Sequence, residues 1–411
     1  VRVALFAARR AARRAARRAI QIAALLGLAG SALAQSASTH SAPTQPAPDT
    51  AALQARMKAI PMAASVESPA AYTPAETVRG GKARAFAAGT GVAPAALAAA
   101  QAYADGQNSF ALIVAKDGRI VHEHYASGFG AASHFATASM HKAVLALAYG
   151  AAIGAGKIAL ADRLDKHLPE FAGDPKGAVT IEQLLRMTSG IGSPPATPGD
   201  PAAPATQLMF GGDNRAAAKL FVLATPSGSE FAYQNVSTQL AGLALQAVLG
   251  GRYADYLSRQ IWAPIGAGDA ALWLDRPGGN PHFFCCLQAS ATDWLRIGEL
   301  VRNGGKVGKR QVVAADWVRT VTAASPMNPN FGMNFWRGSP HAPVRRYAKA
   351  VAMTVAAAKP FDRDDVVFID GAGGQRVYVV PSAGLTIVRI GKPSLDWDDS
   401  ELVNRVLAGV N

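Results

Sequence analysis

The sequence predicts a mixed α/β chain of the α+β kind. An antiparallel sheet is built from both termini, flanked by helices, with a helical lobe inserted between its two halves. Three observations predict this. Two β-rich runs joined by a tight turn stand at 109–126; apolar helical stretches fill the middle of the chain; and three strand-like segments, DDVVFID, QRVYVVP and LTIVRI, return near the C-terminus. Half of the 411 residues are apolar and 17% are charged, which suits a chain with a large core rather than a disordered one.

The elements follow in order. The opening, VRVALFAARRAARRAARRAIQIAALLGLAGSALAQ, places seven arginines before an apolar run that ends in Ala32-Leu33-Ala34, a small-residue cleavage pattern. Residues 1–34 are therefore expected to be a secretory signal peptide and the chain to be periplasmic or secreted. The alternative is an amphipathic helix that is retained. Cleavage after Ala34 would remove 34 residues and seven charges, so 411 residues at +13 become 377 at +6. The remainder has no long Lys/Arg cluster and no aromatic ladder, so no nucleic-acid partner is expected. No other run is long and apolar enough to span a bilayer.

Residues 35–92, Pro-rich and then Ala-rich, are expected to be a flexible tether. The ordered domain is expected over 93–411, with a sheet lobe at about 93–138 and 335–411 and a helical lobe at about 139–334. A helix is predicted at 93–105. The runs 109–115 and 119–126 flank Lys116-Asp117-Gly118, a hairpin signal. Helices are predicted at 139–154, at TIEQLLRMTSG with Thr180 as N-cap and Gly190 as stop, at NVSTQLAGLALQAVLGG, at SATDWLRIGELVRNGG and at DDSELVNRVLAG. The Pro/Gly-rich 191–213 segment is too long for a simple connector and reads as a functional rim or a disordered stretch. The two cysteines, Cys285 and Cys286, exclude a disulfide scaffold. They are expected to be buried thiols, with a vicinal disulfide as the alternative.

The chemistry begins at Ser139 and Lys142, which share a helix face at i and i+3. A helix start favours negative charge, and hence an attacking alkoxide and the oxyanion that follows. A lysine kept partly desolvated can take the serine proton. His141, at i+2, points away. The same four residues also describe an ordinary cap and a surface lysine. Two further stretches weigh against that reading: Tyr233-Gln234-Asn235, and FIDGAGGQ at 368–375 between two strands.

Ser-x-x-Lys, Tyr-x-Asn and a Gly-rich strand in this order resemble the serine β-lactamase and penicillin-binding-protein superfamily, and its class C β-lactamase-like branch of esterases and 6-aminohexanoate-dimer hydrolases in particular. The resemblance covers about 105–410 and implies a β-lactamase/transpeptidase-like fold. It implies Ser139 as acylated nucleophile, Lys142 as general base and Tyr233 as proton shuttle. Asn235 would bind the substrate's acyl side or orient Lys142. The oxyanion hole would come from the Ser139 and Ala372 N–H groups, and Asp370, Gly371 and Gln375 would border the substrate. One departure matters: where penicillin-recognising members carry Lys or His, Thr or Ser, then Gly, this chain has Ile369-Asp370-Gly371. The cation is missing, and Asp370 would repel a substrate carboxylate; its other reading is a solvated acid at a strand end.

Other candidates are weaker. His122 and His124 share a strand face, but two ligands do not make a metal site. Asp293 and Arg296 read as a helix-surface or interlobe pair. Trp262, Trp273, Trp294 and Trp336 are core by default. The sequence thus points to an exported serine hydrolase that cleaves carboxylic esters or short amides, small-molecule substrates, with no cofactor and no metal. The rivals are a β-lactamase or D-amino-acid peptidase of the same fold, and a non-catalytic cell-wall or peptide-binding protein.

Overall fold

The strand runs nearest the two ends of the domain are neighbours in space. The structure, a computed structural model, describes residues 50–60, 66–197, 200–349, 353–394 and 396–410. The expected signal peptide at 1–34 and residues 35–49 lie outside them. Ser109–Lys116 pairs antiparallel with Leu385–Gly391, at the heart of a six-stranded sheet. The order across the sheet is Trp336–Arg337, Val367–Gly371, Gln375–Val380, Leu385–Gly391, Ser109–Lys116, Arg119–Tyr125. The hairpin turn lies where the sequence places it: Asp117 and Gly118 both have positive φ, 50° and 75°, as a tight right-twisted hairpin demands.

Both faces of this sheet are covered, which is why SFALIVA reads as a continuous apolar run rather than an alternation. Ile113 and Ala115 face one core with Trp294 and Ile297 of the Ala291–Arg302 helix; Leu112 and Val114 face a second core with Ala100, Ala104, Val403 and Val406 of the Pro94–Gly106 and Glu401–Leu407 helices. Thr180 caps Ile181–Leu185 through a full capping box with Gln183. Asn235–Leu249 stops at Gly250 in the left-handed conformation.

Three expectations need correction. First, the described part of the 35–92 stretch is not a free tether. Thr50–Ala59 is a helix that buries Leu53, and Arg56 donates to the Phe210 carbonyl at 3.2 Å. Ala75–Val78 pairs with Ala270–Trp273. An alanine-rich composition hid the few large anchors, Leu53, Tyr72 and Val78, that fix the segment. Second, the inserted lobe is not wholly helical: its strands Ala270–Trp273 and Leu287–Ser290 join Ala75–Val78 and His134–Ala136 in a four-stranded sheet. These strands are four residues or shorter, and Leu287–Ser290 is buried throughout, so no alternation announces it. Third, Asp293 and Arg296 are not a surface pair. Both are buried; Asp293 accepts from Gly268 N–H at 3.0 Å, and Arg296 donates to the carbonyls of Gly266 at 2.8 Å and Arg84 at 2.7 Å.

The 191–213 segment is partly folded, with Pro204–Phe210 helical. His122 bonds Gln101 at 2.7 Å, and among the described residues no group of three or more His, Cys, Asp or Glu is placed to hold a metal.

The His141–Gly154 helix is apolar all round because it is enclosed all round. It packs beside Asn235–Leu249, whose Gly242 faces Phe283 so closely that a Cβ there would stand 1.9 Å from the Phe283 Cγ. Alanine ordinarily gains about 0.5–1 kcal/mol over glycine in a helix; here the overlap outweighs it. Gly242→Ala is expected to lower the unfolding free energy by about 1–3 kcal/mol, read from the midpoint of urea denaturation. A stabilised variant would show that Phe283 has room to move.

Candidate active site

The nucleophile candidate sits in a short 3₁₀ turn, Ala138–Met140, that leads into His141–Gly154. So Ser139 precedes the helix proper rather than opening it. Ala138 has φ +51°, a conformation that residues with a Cβ seldom adopt, and such strain collects where geometry must be held for a purpose. It leaves Ser139 half-buried at the protein surface, while Lys142 is only 1% exposed.

The Lys142 amine makes three hydrogen bonds: to Ser139 Oγ at 2.9 Å, to Asn235 Oδ1 at 2.9 Å and to the Phe284 carbonyl at 2.5 Å. The Tyr233 ring lies 5.0 Å from the same nitrogen. Ser139, Lys142, Tyr233 and Asn235 are thus brought together around one amine. Burial lowers the Lys142 pKa to about 7, with the Asp370 charge opposing in part. The consequence is geometric as well as electrostatic. A neutral amine has two N–H donors and one lone pair. Asn235 Oδ1 and the Phe284 carbonyl can only accept, so they take the two protons, and the lone pair faces the Ser139 hydroxyl.

Burial also raises the Tyr233 phenol well above its ordinary value. The Asp370 charge adds to this, and a hydrogen bond to Ser139 opposes it. The phenol therefore stays protonated near neutrality. Its ring is wedged among Trp336, Tyr347 and Phe331, at centroid distances of 5.9, 5.2 and 6.1 Å, and its N–H donates to the Tyr347 carbonyl at 2.8 Å. His141 is wholly buried and turned away, bonded to the Tyr253 hydroxyl at 3.2 Å.

Gly371 closes the site from the sheet side. A Cβ at this position would lie 2.4 Å from the Thr137 carbonyl oxygen, so only glycine lets the strand approach the nucleophile turn. Among the described residues neither the Ser139 nor the Ala372 N–H has a hydrogen-bond acceptor. The turn that carries Ala372 is braced from behind. Arg376 donates to the Gly371 carbonyl at 3.0 Å and Arg389 to that of Gly373 at 3.2 Å; Gln375 exchanges two bonds with Gly391, both 2.9 Å.

Two of the substrate-binding expectations are thereby corrected. Gln375 is fully buried and its amide is spent on the turn. Asp370 is neither a solvated strand-end acid nor a free charge facing the site. Tyr347 donates to its carboxylate at 2.8 Å, Arg345 lies 3.3 Å from it, and Arg376 also pairs with it. Asp399 completes the cluster, 2.7 Å from both Arg345 and Arg376. Two arginines and two aspartates sum to zero. Burial alone would raise the Asp370 pKa, but Arg345 and Arg376 outweigh it and hold the carboxyl below its usual range.

Sequence reasoning missed Arg345, Tyr347, Arg376, Asp399 and the Phe284 carbonyl. Arg345 and Tyr347 stand together in VRRY, between segments with no motif to flag them, and a backbone carbonyl has no sequence signal. A cavity of about 360 Å³ is lined by Phe231, Trp336, Arg345 and Phe361 among others, and by none of Ser139, Lys142 or Tyr233. It shares a wall with the site but not its reactive groups.

Removing one buried charge strands its partners. Asp370→Asn is expected to cost about 3–5 kcal/mol of unfolding free energy, measured in urea. Unchanged stability would mean that Asp399 alone suffices for both arginines.

The beta-lactamase family profile matches residues 95–390. A 6-aminohexanoate-dimer hydrolase from Paenarthrobacter ureafaciens is 26% identical over 230 residues, 52% of this chain and 57% of that protein. The match thus spans little more than half of that relative's length. Among solved structures, a Bacillus anthracis protein named as a candidate 6-aminohexanoate-dimer hydrolase superposes with a TM-score of 0.67 at 19% identity, over 84% of this chain and 91% of its own. A class C beta-lactamase from Rhodobacter sphaeroides gives 0.55 at 18% identity, over 77% and 98%. At such identities the structural likeness speaks to the fold.

Proposed function

The chain belongs to the beta-lactamase family, and from that premise we propose that it is an exported serine hydrolase cleaving carboxylic esters or short amides through an acyl-enzyme on Ser139. The observation that carries the reading is the buried Lys142 amine, 2.9 Å from Ser139 Oγ with its other partners both acceptors. That arrangement is a poor surface cap and a good base.

Ser139 Oγ attacks the substrate carbonyl carbon as its proton passes to Lys142 Nζ. The negative charge that develops on the carbonyl oxygen falls to the Ser139 and Ala372 N–H groups. As the tetrahedral species collapses, the bond to the leaving oxygen or nitrogen breaks. That atom takes a proton from the Tyr233 hydroxyl, which is replenished by the proton that Lys142 took from Ser139. Water then attacks the acyl-enzyme, with Lys142 and Tyr233 relaying its proton back, and Ser139 is regenerated. Asn235 keeps the amine aimed throughout. None of these steps asks for a cofactor.

The neutral Arg345–Asp370–Arg376–Asp399 cluster supports uncharged substrates. It offers no net cation to a carboxylate, the group by which penicillin-type substrates are held in the resemblance drawn above. The P. ureafaciens relative, named a 6-aminohexanoate-dimer hydrolase, supports hydrolysis as the reaction class and says nothing for an uncharged substrate. The rival β-lactamase or D-amino-acid peptidase reading needs that cation, and the non-catalytic reading leaves the Ser139–Lys142–Tyr233 contacts without purpose. Export rests on the sequence of residues 1–34. No helix among the described residues is long and apolar enough to cross a membrane.

Ser139→Ala and Lys142→Ala are each expected to lower kcat for p-nitrophenyl butyrate by at least about 10³-fold, and a chromogenic cephalosporin to be turned over far more slowly than the ester. Equal activity in wild type and both variants would reduce Ser139 to a cap; a preference for the cephalosporin would favour the rival. The base must be unprotonated, so log kcat/KM is expected to rise with pH and level off above about 7, falling tenfold per pH unit below that. A flat profile between pH 5 and 8 would rule Lys142 out as the base.

A further inference from the structure

One acceptor of the Lys142 amine is a backbone atom, and the chain around it is unusual. The Phe284 carbonyl takes one amine proton, and the Phe284 ring lies 5.7 Å from the same nitrogen. The next two residues, Cys285 and Cys286, are bonded to each other as a disulfide and are 5% exposed each. This corrects the expectation of two free thiols. Cys286 has φ +69°, a left-handed conformation that a residue with a Cβ rarely keeps unaided. Its N–H donates to the Ala138 carbonyl at 2.9 Å, one residue before Ser139, and the Thr137 hydroxyl donates to the Leu287 carbonyl at 3.3 Å. The 284–287 segment is therefore bonded to residues 137, 138 and 142, on both sides of Ser139.

We propose that the Cys285–Cys286 disulfide is a positioning element for Lys142: it holds the Phe284 carbonyl and ring over the amine, so hydrolysis depends on the oxidation state of this pair. The proposal rests on the Ser139–Lys142 reading. A general structural role fits less well. Stabilisation by a disulfide grows with the length of chain it closes, and neighbours close the shortest loop there is. What such a bond can restrain is local: the one peptide between the cysteines and the carbonyl just before it.

Reduction by a dithiol balances simply. One thiolate of the reagent attacks a protein sulfur and breaks the S–S bond, and its second thiolate displaces the mixed disulfide. The reagent leaves as a cyclic disulfide, and Cys285 and Cys286 end as two thiols. Two effects on Lys142 then oppose each other. A lost carbonyl acceptor disfavours the ammonium; water admitted past a loosened Phe284 favours it. Burial is the largest cause of the depressed amine, from 10.5 to about 7, whereas one hydrogen bond to a neutral acceptor is worth about one pH unit or less. Hydration wins, and the amine becomes protonated at neutral pH. The Tyr233 ring faces the amine, and the other titratable groups whose charge it would feel are His141, turned away, and Asp370, paired with Arg345 and Arg376. Tyr233 and Asp370 keep their charge on reduction and buried thiols stay neutral near pH 7; His141 is depressed to about 4 by burial and bonds the Cys285 backbone, so water that reaches it raises its pKa as well.

The test compares the full chain purified without reductant with the same protein after treatment with dithiothreitol and its removal. Thiols are counted after denaturation with a chromogenic disulfide reagent, the fold is followed by circular dichroism, and Lys142 is titrated by ¹³C NMR of labelled lysine, assigned with Lys142→Ala. We expect no thiols before and two after, an unchanged fold, a Lys142 titration raised by about one unit, and p-nitrophenyl butyrate hydrolysis at pH 6 lowered roughly tenfold. Reoxidation in air restores the rate, and Cys285→Ala/Cys286→Ala reproduces the reduced state. Two thiols in the untreated protein overturn the proposal. So does a reduced protein with unchanged titration and rate, or one that unfolds, since the bond is then merely structural. Should the double variant not fold, reduction of the folded wild type decides. Should the oxidised protein hydrolyse nothing, the Ser139–Lys142 reading fails, while the Lys142 titration, which needs no turnover, still judges whether the pair controls the amine.

Discussion

A lysine amine taken out of water has to be met by oxygen atoms or lose its proton, and the site around Lys142 answers that demand. Asn235 and the Phe284 carbonyl supply two acceptors, and the third direction opens onto Ser139. Each partner comes from a different part of the chain: the start of one helix, a loop of the inserted lobe, and the turn before the buried helix itself. Asn235–Leu249 packs beside the buried helix, and Phe283, seated against its Gly242, sets the neighbouring Phe284 carbonyl within reach of the amine. The amine is thus the point where packing becomes chemistry.

The second constraint is charge neutrality on the sheet side. The strand that ends at Gly371 must come close to the nucleophile turn, and it carries Asp370 into the interior as it does. A lone carboxylate there would be costly and would pull the amine toward its protonated form. Arg345 and Arg376 cancel it, and Asp399 balances them. The same cluster ties down Tyr347, whose carbonyl and ring hold Tyr233. An acid that looked like a hostile charge facing the substrate is instead part of the wall that positions the proton relay. The site that results is neutral overall, which suits the uncharged esters and amides of the proposed activity.

Much of the fold was legible because its signals are local. The Asp117-Gly118 hairpin, the Thr180 N-cap and the C-terminal strands depend on residues within a few positions of each other. So does the pairing of Ser139 with Lys142, one helical turn apart. The stop expected at Gly190, by contrast, is not where that helix ends, since it closes at Leu185. What was not legible depends on distance or on burial. The short strands Ala270–Trp273 and Leu287–Ser290 lack a period that a sequence can display. The 66–92 stretch is ordered by partners two hundred residues away, such as Trp273 and Arg296. Gln375 stands beside the site in sequence and points away from it in space.

The sequence by itself determined which groups could react: a hydroxyl and an amine at helical spacing, a phenol and an amide in Tyr-x-Asn, and a glycine-rich strand end. Residue identity and short-range spacing are enough for that, because they follow from covalent geometry. Only the tertiary structure decided the state of those groups. Whether the amine is hydrated or dry, whether Asp370 is bare or paired, and whether Cys285 and Cys286 meet are questions of which distant atoms surround them. Desolvation and Coulomb interaction are summed over space, not along the chain.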